Sequence, residues 1–254
     1  MRFSHVFVTR PRQESEELAA MLTPLGLQVV VQPAFDFREC NAASDQPEVI
    51  AELGDDKAPH LLIFTSTRAV EFGLAQLPLE LLRKHKIAAI GPSTANALSA
   101  AGVFVNVRPS SGFTSEALLD SLGNDSSGFI SPHKSAVILA APGGRKKIEK
   151  ELVGLDWRVQ TLMVYSRENV ELDKQALEKL KGAEGILAVW TSGNTMKVLS
   201  QRLQPATWFQ ICAGEWLVIS SRLKRLARAY GPTKIHLSPG PTNSELCSAV
   251  RAAM

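Results

Sequence analysis

Short apolar runs alternate along the chain with stretches in which apolar residues recur every three or four positions. The runs at 6–9, 29–32, 61–65, 87–90, 103–108, 137–140, 159–164, 185–191, 209–213 and 234–237 predict strands. Between them, Leu18, Met21, Leu22 and Leu25 fall at i, i+3, i+4 and i+7. Leu223, Leu226, Ala227 and Tyr230 repeat that spacing, and Ile148, Leu152 and Leu155 share one helical face. Apolar strands alternating with amphipathic helices predict an α/β protein with parallel sheets covered on both sides.

The pattern also repeats. Val8-Thr9-Arg10-Pro11, a helix, Gly26 and a strand open the first half. Ala140-Ala141-Pro142, a helix, Asp156-Trp157 and a strand open the second. Ile63-Phe64-Thr65-Ser66 then matches Val189-Trp190-Thr191-Ser192, and Ala89-Ile90-Gly91 matches Cys212-Ala213-Gly214. A period this long suits two similar domains rather than a solenoid. Periodicity lapses at 33–46 and 166–170, which read as connections, and 124–134 reads as a long surface loop rich in Ser and Gly.

Composition narrows the partners. Of 254 residues, 45% are hydrophobic and 21% charged, with a net charge of +3. So small a positive excess, without blocks of like charge, gives no footprint for nucleic acid, and the apolar runs are too short to span a membrane. Cys40, Cys212 and Cys247 are far apart and odd in number, which fits a reducing compartment. The first residues run straight into a strand pattern with no signal-peptide character, so a cytoplasmic protein is expected.

Several chemistries fail on spacing. The five histidines are isolated from one another and from the cysteines, so no metal site is expected. No GxSxG elbow, Walker loop or GxGxxG fingerprint occurs. What remains is a set of turns that end strands and open helices. These are Thr9-Arg10-Pro11, Thr65-Ser66-Thr67, Gly91-Pro92-Ser93-Thr94, Pro142-Gly143-Gly144-Arg145, Thr191-Ser192-Gly193-Asn194 and the run from Pro239 through Thr242 to Ser244. In a parallel sheet such turns gather at the carboxyl edge, where free helix N–H groups favour anions. For any one of them taken alone, helix capping is the stronger explanation, while the recurrence of Thr-Ser at matching places in both halves favours function. Tyr165, one of two tyrosines, ends a strand beside a connection and could be a packing residue or a catalytic one.

Taken in order, Val8-Thr9-Arg10-Pro11, Phe64-Thr65-Ser66, Ile90-Gly91-Pro92-Ser93-Thr94, Val164-Tyr165-Ser166-Arg167 and Trp190-Thr191-Ser192 resemble the motifs of the uroporphyrinogen-III synthase family. The likeness spans essentially the whole chain. It implies two flavodoxin-like parallel-sheet domains joined by a two-strand linker, with the active site in the interdomain cleft. One domain would be discontinuous, 1–35 with 170–254, and the other would be 37–166. It further implies cyclisation of hydroxymethylbilane, a tetrapyrrole with eight carboxylates, with loss of water, inversion of the last pyrrole ring and no cofactor. Tyr165 would be the proton donor to the leaving hydroxyl. Arg10, Thr65, Ser66, Gly91, Ser93, Thr94, Thr191, Ser192, Gly193 and Thr242 would bind substrate. Gly144 and Arg145 stand where many members carry an Arg-Gly pair. Glu215, after the second Gly turn, would repel a carboxylate. The family also implies a monomer. The competing readings are a non-catalytic two-domain sensor or binding protein for an anionic small ligand, and an interaction module of the same architecture.

Overall fold

The computed structural model describes residues 2–55, 59–109, 115–123, 133–143 and 146–254. The chain forms two compact units, Met1–Asp36 with Glu168–Met254, and Phe37–Arg167. It begins with β1 (His5–Val8), α1 (Arg12–Leu22), β2 (Gln28–Val31), β3 (Phe35–Glu39), α2 (Ala42–Asp45) and α3 (Pro47–Gly54). Then come β4 (Leu61–Phe64), α4 (Thr67–Gln76), α5 (Leu79–Arg83), β5 (Lys86–Ala89), α6 (Pro92–Ala100) and α7 (Ser115–Gly123). Next are β6 (Ser135–Ala140), α8 (Lys147–Gly154), β7 (Arg158–Met163), β8 (Tyr165–Asn169), α9 (Lys174–Glu178), β9 (Ile186–Trp190) and α10 (Gly193–Arg202). The chain closes with α11 (Pro205–Cys212), β10 (Glu215–Val218), α12 (Ser221–Ala227), β11 (Lys234–Leu237) and α13 (Asn243–Ala253).

The discontinuous unit holds a parallel sheet in the order β11-β10-β9-β1-β2. β1 and β9 lie at its centre and are buried throughout, which is why both read as unbroken apolar runs. Alternate residues serve opposite layers. Phe7, Ala188, Trp190 and Trp216 pack with Met196, Leu199 and Leu223 on one face; Val6, Val8, Leu187 and Leu217 pack with Leu18, Leu22, Leu246 and Val250 on the other.

The continuous unit has the parallel order β5-β4-β6-β7. Leu62 and Phe64 of β4 point into the layer of Val49, Leu53 and Val70, while Leu61 and Ile63 point into that of Leu118, Ile148 and Leu152. Val107 adds a single parallel bridge to Ala88 beyond β5.

Both sheets have the flavodoxin-like order 2-1-3-4-5. In the first unit, β1, β2, β9, β10 and β11 are strands one to five. In the second, β6 and β7 are strands one and two, β4 and β5 are three and four, and Val107 stands at the fifth position. The second unit is therefore a circular permutation of the first. Each is open between its second and third strands, where the chain leaves one unit and enters the other. The two connecting segments carry β3 and β8, which pair as a two-stranded sheet. The amide N–H of Cys40 donates to the Val164 carbonyl and that of Val170 to the Ala34 carbonyl, so the pair is antiparallel.

Two expected strands are absent. Residues 209–213 lie mostly in helix α11, begun by Pro205 at its first position, and the fourth strand is instead β10. Phe209, read as a strand residue, is 75% exposed. Residues 103–108 make only the Val107 bridge. The expected helical faces are narrower than their spacing suggested: Leu18, Leu22, Leu223, Ala227, Ile148 and Leu152 are buried, but Met21, Leu226 and Leu155 are exposed. Most of the expected loop at 124–134 falls outside the described residues.

At the amino edge of the second unit's sheet, His60 and His85 precede β4 and β5. His85 Nδ1 accepts the His60 amide N–H (3.2 Å) and its Nε2–H donates to the Leu53 carbonyl (3.0 Å), which fixes the neutral tautomer. Burial pushes the His85 pKa below its ordinary 6.5; the Leu53 bond opposes this, and the His60 and Lys84 charges add to it. The unfolded chain thus takes up a proton that the native ring resists, so this contribution to stability is lost as pH falls below about 6.5. Thermal melting between pH 7.5 and 5 should show falling stability, and His85→Gln should flatten that fall. An unchanged profile in the variant would assign it to other groups.

Candidate functional site

Every helix that follows a strand begins at the carboxyl edge of its sheet with N–H groups that need acceptors. In the continuous unit, Ser66 caps α4 by accepting the Ala69 N–H at 3.1 Å. Thr65 donates its hydroxyl to the Leu139 carbonyl of neighbouring β6 at 2.9 Å, so that proton is committed and only the oxygen and the backbone of Thr65 remain for a ligand. Gly91 is the N-cap of α6, with Pro92 at the first position; Ser93 is exposed, whereas Thr94 is buried in the helix's inner face. Ser93 can thus meet a ligand, and Thr94 packs. Pro142 and Gly143 follow β6, with Gly143 at φ +72°, but Gly144 and Arg145 lie outside the described residues.

Tyr165 comes to this same edge. Its hydroxyl is 3.3 Å from Ser66 Oγ. Its ring stacks on Phe72 of α4, centroids 5.5 Å apart, and meets Phe37 of β3 edge-on at 5.7 Å. The Arg68 guanidinium sits 5.0 Å over Phe37 and pairs with Glu71 at 2.6 Å. Gln76 completes the group, its Nε2 donating to the Val164 carbonyl at 2.9 Å and its Oε1 accepting the Ala42 N–H at 2.8 Å. Sequence reading found Thr65, Ser66 and Tyr165 but not Arg68, Phe72 and Gln76. These three recur every fourth residue after the Ser66 cap, a spacing that would have placed them on one face of α4.

The discontinuous unit repeats the device with different occupants. Ser192 caps α10 by accepting the Thr195 N–H at 3.4 Å, with Thr191 and Gly193 half-buried beside it. Gly193 also has a packing role, since a Cβ there would lie 2.6 Å from Leu226 Cδ2. Arg10 donates to the Pro241 carbonyl, and Thr9 to the Val189 carbonyl at 2.8 Å. Three helix starts hold the protein's own carboxylates, one of them α9, which Asp173 caps by accepting the Ala176 N–H at 2.9 Å. Asp36 accepts from the Arg12 N–H at the start of α1. Glu245 accepts from both the N–H and the hydroxyl of Thr242 in a capping box at α13. Those two bonds hold the Glu245 carboxyl below the usual carboxylate range and engage Thr242 within its own helix.

The expected fourth turn of this unit is misplaced. Gly214 precedes β10, so Glu215 lies at the amino edge, bonded to His236 at 2.5 Å, and does not face the candidate turns. The real fourth turn is Ile219-Ser220-Ser221, where Ser220 caps α12 by accepting the Leu223 N–H at 3.2 Å. It was legible as an apolar run, Trp216 to Ile219, ending in two serines. Burial pushes the Cys212 thiol up to about 11, unsuited to a nucleophile. Among the described residues, no group of three His, Cys, Asp or Glu side chains could hold a metal.

Residues 16–248 match the family described as uroporphyrinogen-III synthase HemD. The uroporphyrinogen-III synthase of Escherichia coli (strain K12) is 28% identical over 255 residues, covering 97% of this chain and 99% of that one. A mutant uroporphyrinogen III synthase from the extremely thermophilic bacterium Thermus thermophilus superposes with a TM-score of 0.60 at 18% identity, over 98% of both chains. The Helicobacter pylori 26695 uroporphyrinogen-III synthetase gives 0.58 at 15%, over 100% of this chain and 99% of that one. These two likenesses bear on the fold.

If Ser192 works as the α10 cap, Ser192→Ala should cost about 1 kcal/mol of stability and Ser192→Gly only a few tenths. Urea unfolding of both variants checks this, and an Ala variant as stable as the parent would remove the cap from the energetics.

Proposed function

Because the chain belongs to the uroporphyrinogen-III synthase family, we propose that it closes hydroxymethylbilane into uroporphyrinogen III, with Tyr165 protonating the hydroxyl that leaves. The C–O bond of the hydroxymethyl group breaks, water departs carrying the donated proton, and the resulting cation is stabilised by the adjacent pyrrole nitrogen. Attack by the substituted carbon of the last ring gives a spiro intermediate; its rearrangement inverts that ring, and the proton lost from the ring carbon that makes the final bond restores the phenol. Much of the reactivity lies in the substrate, so the protein's work is positioning and electrostatic stabilisation. No cofactor is needed for these steps.

The single observation that carries the role of Tyr165 is its hydroxyl beside Ser66 Oγ at the start of α4. Either hydroxyl can donate in this contact; with Ser66 as donor to the Tyr165 oxygen, the phenolic proton is left to be given away. The phenolate that forms would meet the Ser66 hydroxyl and the positive end of a ten-residue helix. Carboxylates of the substrate suit the Ser66 and Gly91–Ser93 turns of one unit and the Ser192 turn of the other, each of which offers backbone N–H groups and a hydroxyl. At α1 and α13 the same kind of helix start already holds Asp36 and Glu245, which supports carboxylate binding by such turns in this chain. The side chains of Arg10 and Thr242 are engaged within the protein and make a smaller contribution.

The enzyme acts in the cytoplasm as a monomer. Three cysteines, far apart in the sequence, fit a reducing compartment, and among the described residues no helix is long and apolar enough to cross a membrane.

With binding spread over many donors, Ser192→Ala should weaken substrate binding by roughly 0.5–1.5 kcal/mol, the net worth of one hydrogen bond, and Thr65→Ala by less, because the Thr65 hydroxyl already gives its proton to the Leu139 carbonyl. A loss of several orders of magnitude in either would mark a catalytic hydroxyl and defeat the positioning account. General acids contribute about a hundred- to ten-thousand-fold; water or substrate carboxyls can substitute in part, so Tyr165→Phe should lower turnover at least about tenfold. Its melting temperature should stay near the parent's. Porphyrin isomers analysed after oxidation give the readout: type III for enzymatic closure, type I for spontaneous closure. Unchanged turnover in a folded Tyr165→Phe enzyme would demote the residue to packing.

A further inference from the structure

A tyrosine can hand its proton to one atom of a substrate only if its ring is held still, and Tyr165 sits half-buried at the end of a short strand pair. The structure holds that ring from two sides. Phe72 lies against its face, planes 19° apart with centroids at 5.5 Å. Phe37 meets it edge-on at 5.7 Å and 75°. These are the offset-stacked and T-shaped arrangements that aromatic quadrupoles favour. Each wall is itself fixed. Phe72 is one turn along α4 from Arg68, and its carbonyl accepts a bond from Gln76 Nε2 at 3.0 Å. The same Nε2 holds the Val164 carbonyl, so the backbone just before Tyr165 is tied to the helix that carries Phe72. Phe37 lies under the Arg68 guanidinium, which Glu71 pairs from the next turn.

We infer that Phe72 is a positioning residue for the reaction, with Phe37 as the second wall: together they keep the Tyr165 hydroxyl 3.3 Å from Ser66 Oγ and aimed at the departing group. Neither phenylalanine can exchange a proton, so each acts on the chemistry through Tyr165 alone. The inference rests on Tyr165 as proton donor. It goes beyond that reading by making the aromatic walls, and not only the hydroxyl, a condition for turnover.

The test is a double-mutant cycle on the full chain, read by turnover of hydroxymethylbilane. In the parent, Phe72→Leu should lower kcat about three- to tenfold and leave KM within about twofold; Phe72→Tyr, which keeps the stacking face, should retain most of kcat. In the Tyr165→Phe background, Phe72→Leu should lower kcat by less than about 1.5-fold. Equal falls in both backgrounds, with Tyr165→Phe itself slow, would overturn the inference and leave the donor reading standing. A Tyr165→Phe enzyme as fast as the parent would fell the donor reading and this inference with it. Phe37→Leu carries the same expectations and serves if Phe72→Leu does not fold. Because the chain has only two tyrosines, ¹³Cζ-tyrosine labelling gives two signals, assigned by Tyr230→Phe. Phe72→Leu should shift or broaden the Tyr165 signal and spare that of Tyr230; a Tyr165 signal that does not change would also overturn the inference.

Discussion

The unmet N–H groups at the first turn of each helix are the constraint on which the carboxyl edge of each sheet depends. A parallel sheet places those turns along one edge, and each must find oxygen there. The chain answers with serine caps at Ser66, Ser192 and Ser220 and with its own carboxylates at Asp36, Asp173 and Glu245. A serine cap satisfies one N–H and leaves others facing outward, whereas a carboxylate can quench the turn's charge as well as its hydrogen bonds. The choice between the two sorts the helix starts into those that can receive an acidic ligand and those that are spent on folding.

That sorting was only half legible in the sequence. Thr65-Ser66 and Thr191-Ser192 stood out because each ends an unbroken apolar run, and a central parallel strand buried on both faces has to be such a run. Thr242 looked equivalent, yet Glu245 three residues on makes a capping box that takes up its hydroxyl. Residues 209–213 misled for a related reason. Phe209, Ile211 and Cys212 have strand-like composition, but Pro205 begins a helix on which Trp208 and Ile211 face inward and Phe209 faces solvent. β10 escaped notice because it opens with Glu215, whose charge is met by His236 from the neighbouring strand, a partner that no local pattern announces.

The surroundings of Tyr165 show the same limit. Its place just past an apolar strand could be read from the chain, though not that it opens β8. That Phe37, Phe72, Arg68 and Gln76 would gather around it could not, because the group joins two segments more than a hundred residues apart to one helix. A residue with an even prior between packing and chemistry becomes a mechanistic candidate only when its hydroxyl is seen to lie beside a cap and its ring to be walled in.

The shared opening between second and third strands bears on how the chain can fold. In the discontinuous unit β1 pairs with β9, roughly 180 residues later, and closing so long a loop is costly before any contact rewards it. The other unit is contiguous, Phe37–Arg167, and can form on its own local schedule. Once it has formed, and β3 has paired with β8, the intervening segment counts as a clamp rather than as slack, leaving a loop of roughly 50 residues. By the logarithmic rule that saves about 1 kcal/mol of closure entropy, a small sum in equilibrium but a several-fold gain in the rate at which the ends meet. The inserted unit would then serve its host as a folding template, and the order of synthesis favours it, since the template leaves the ribosome before the strands that need it.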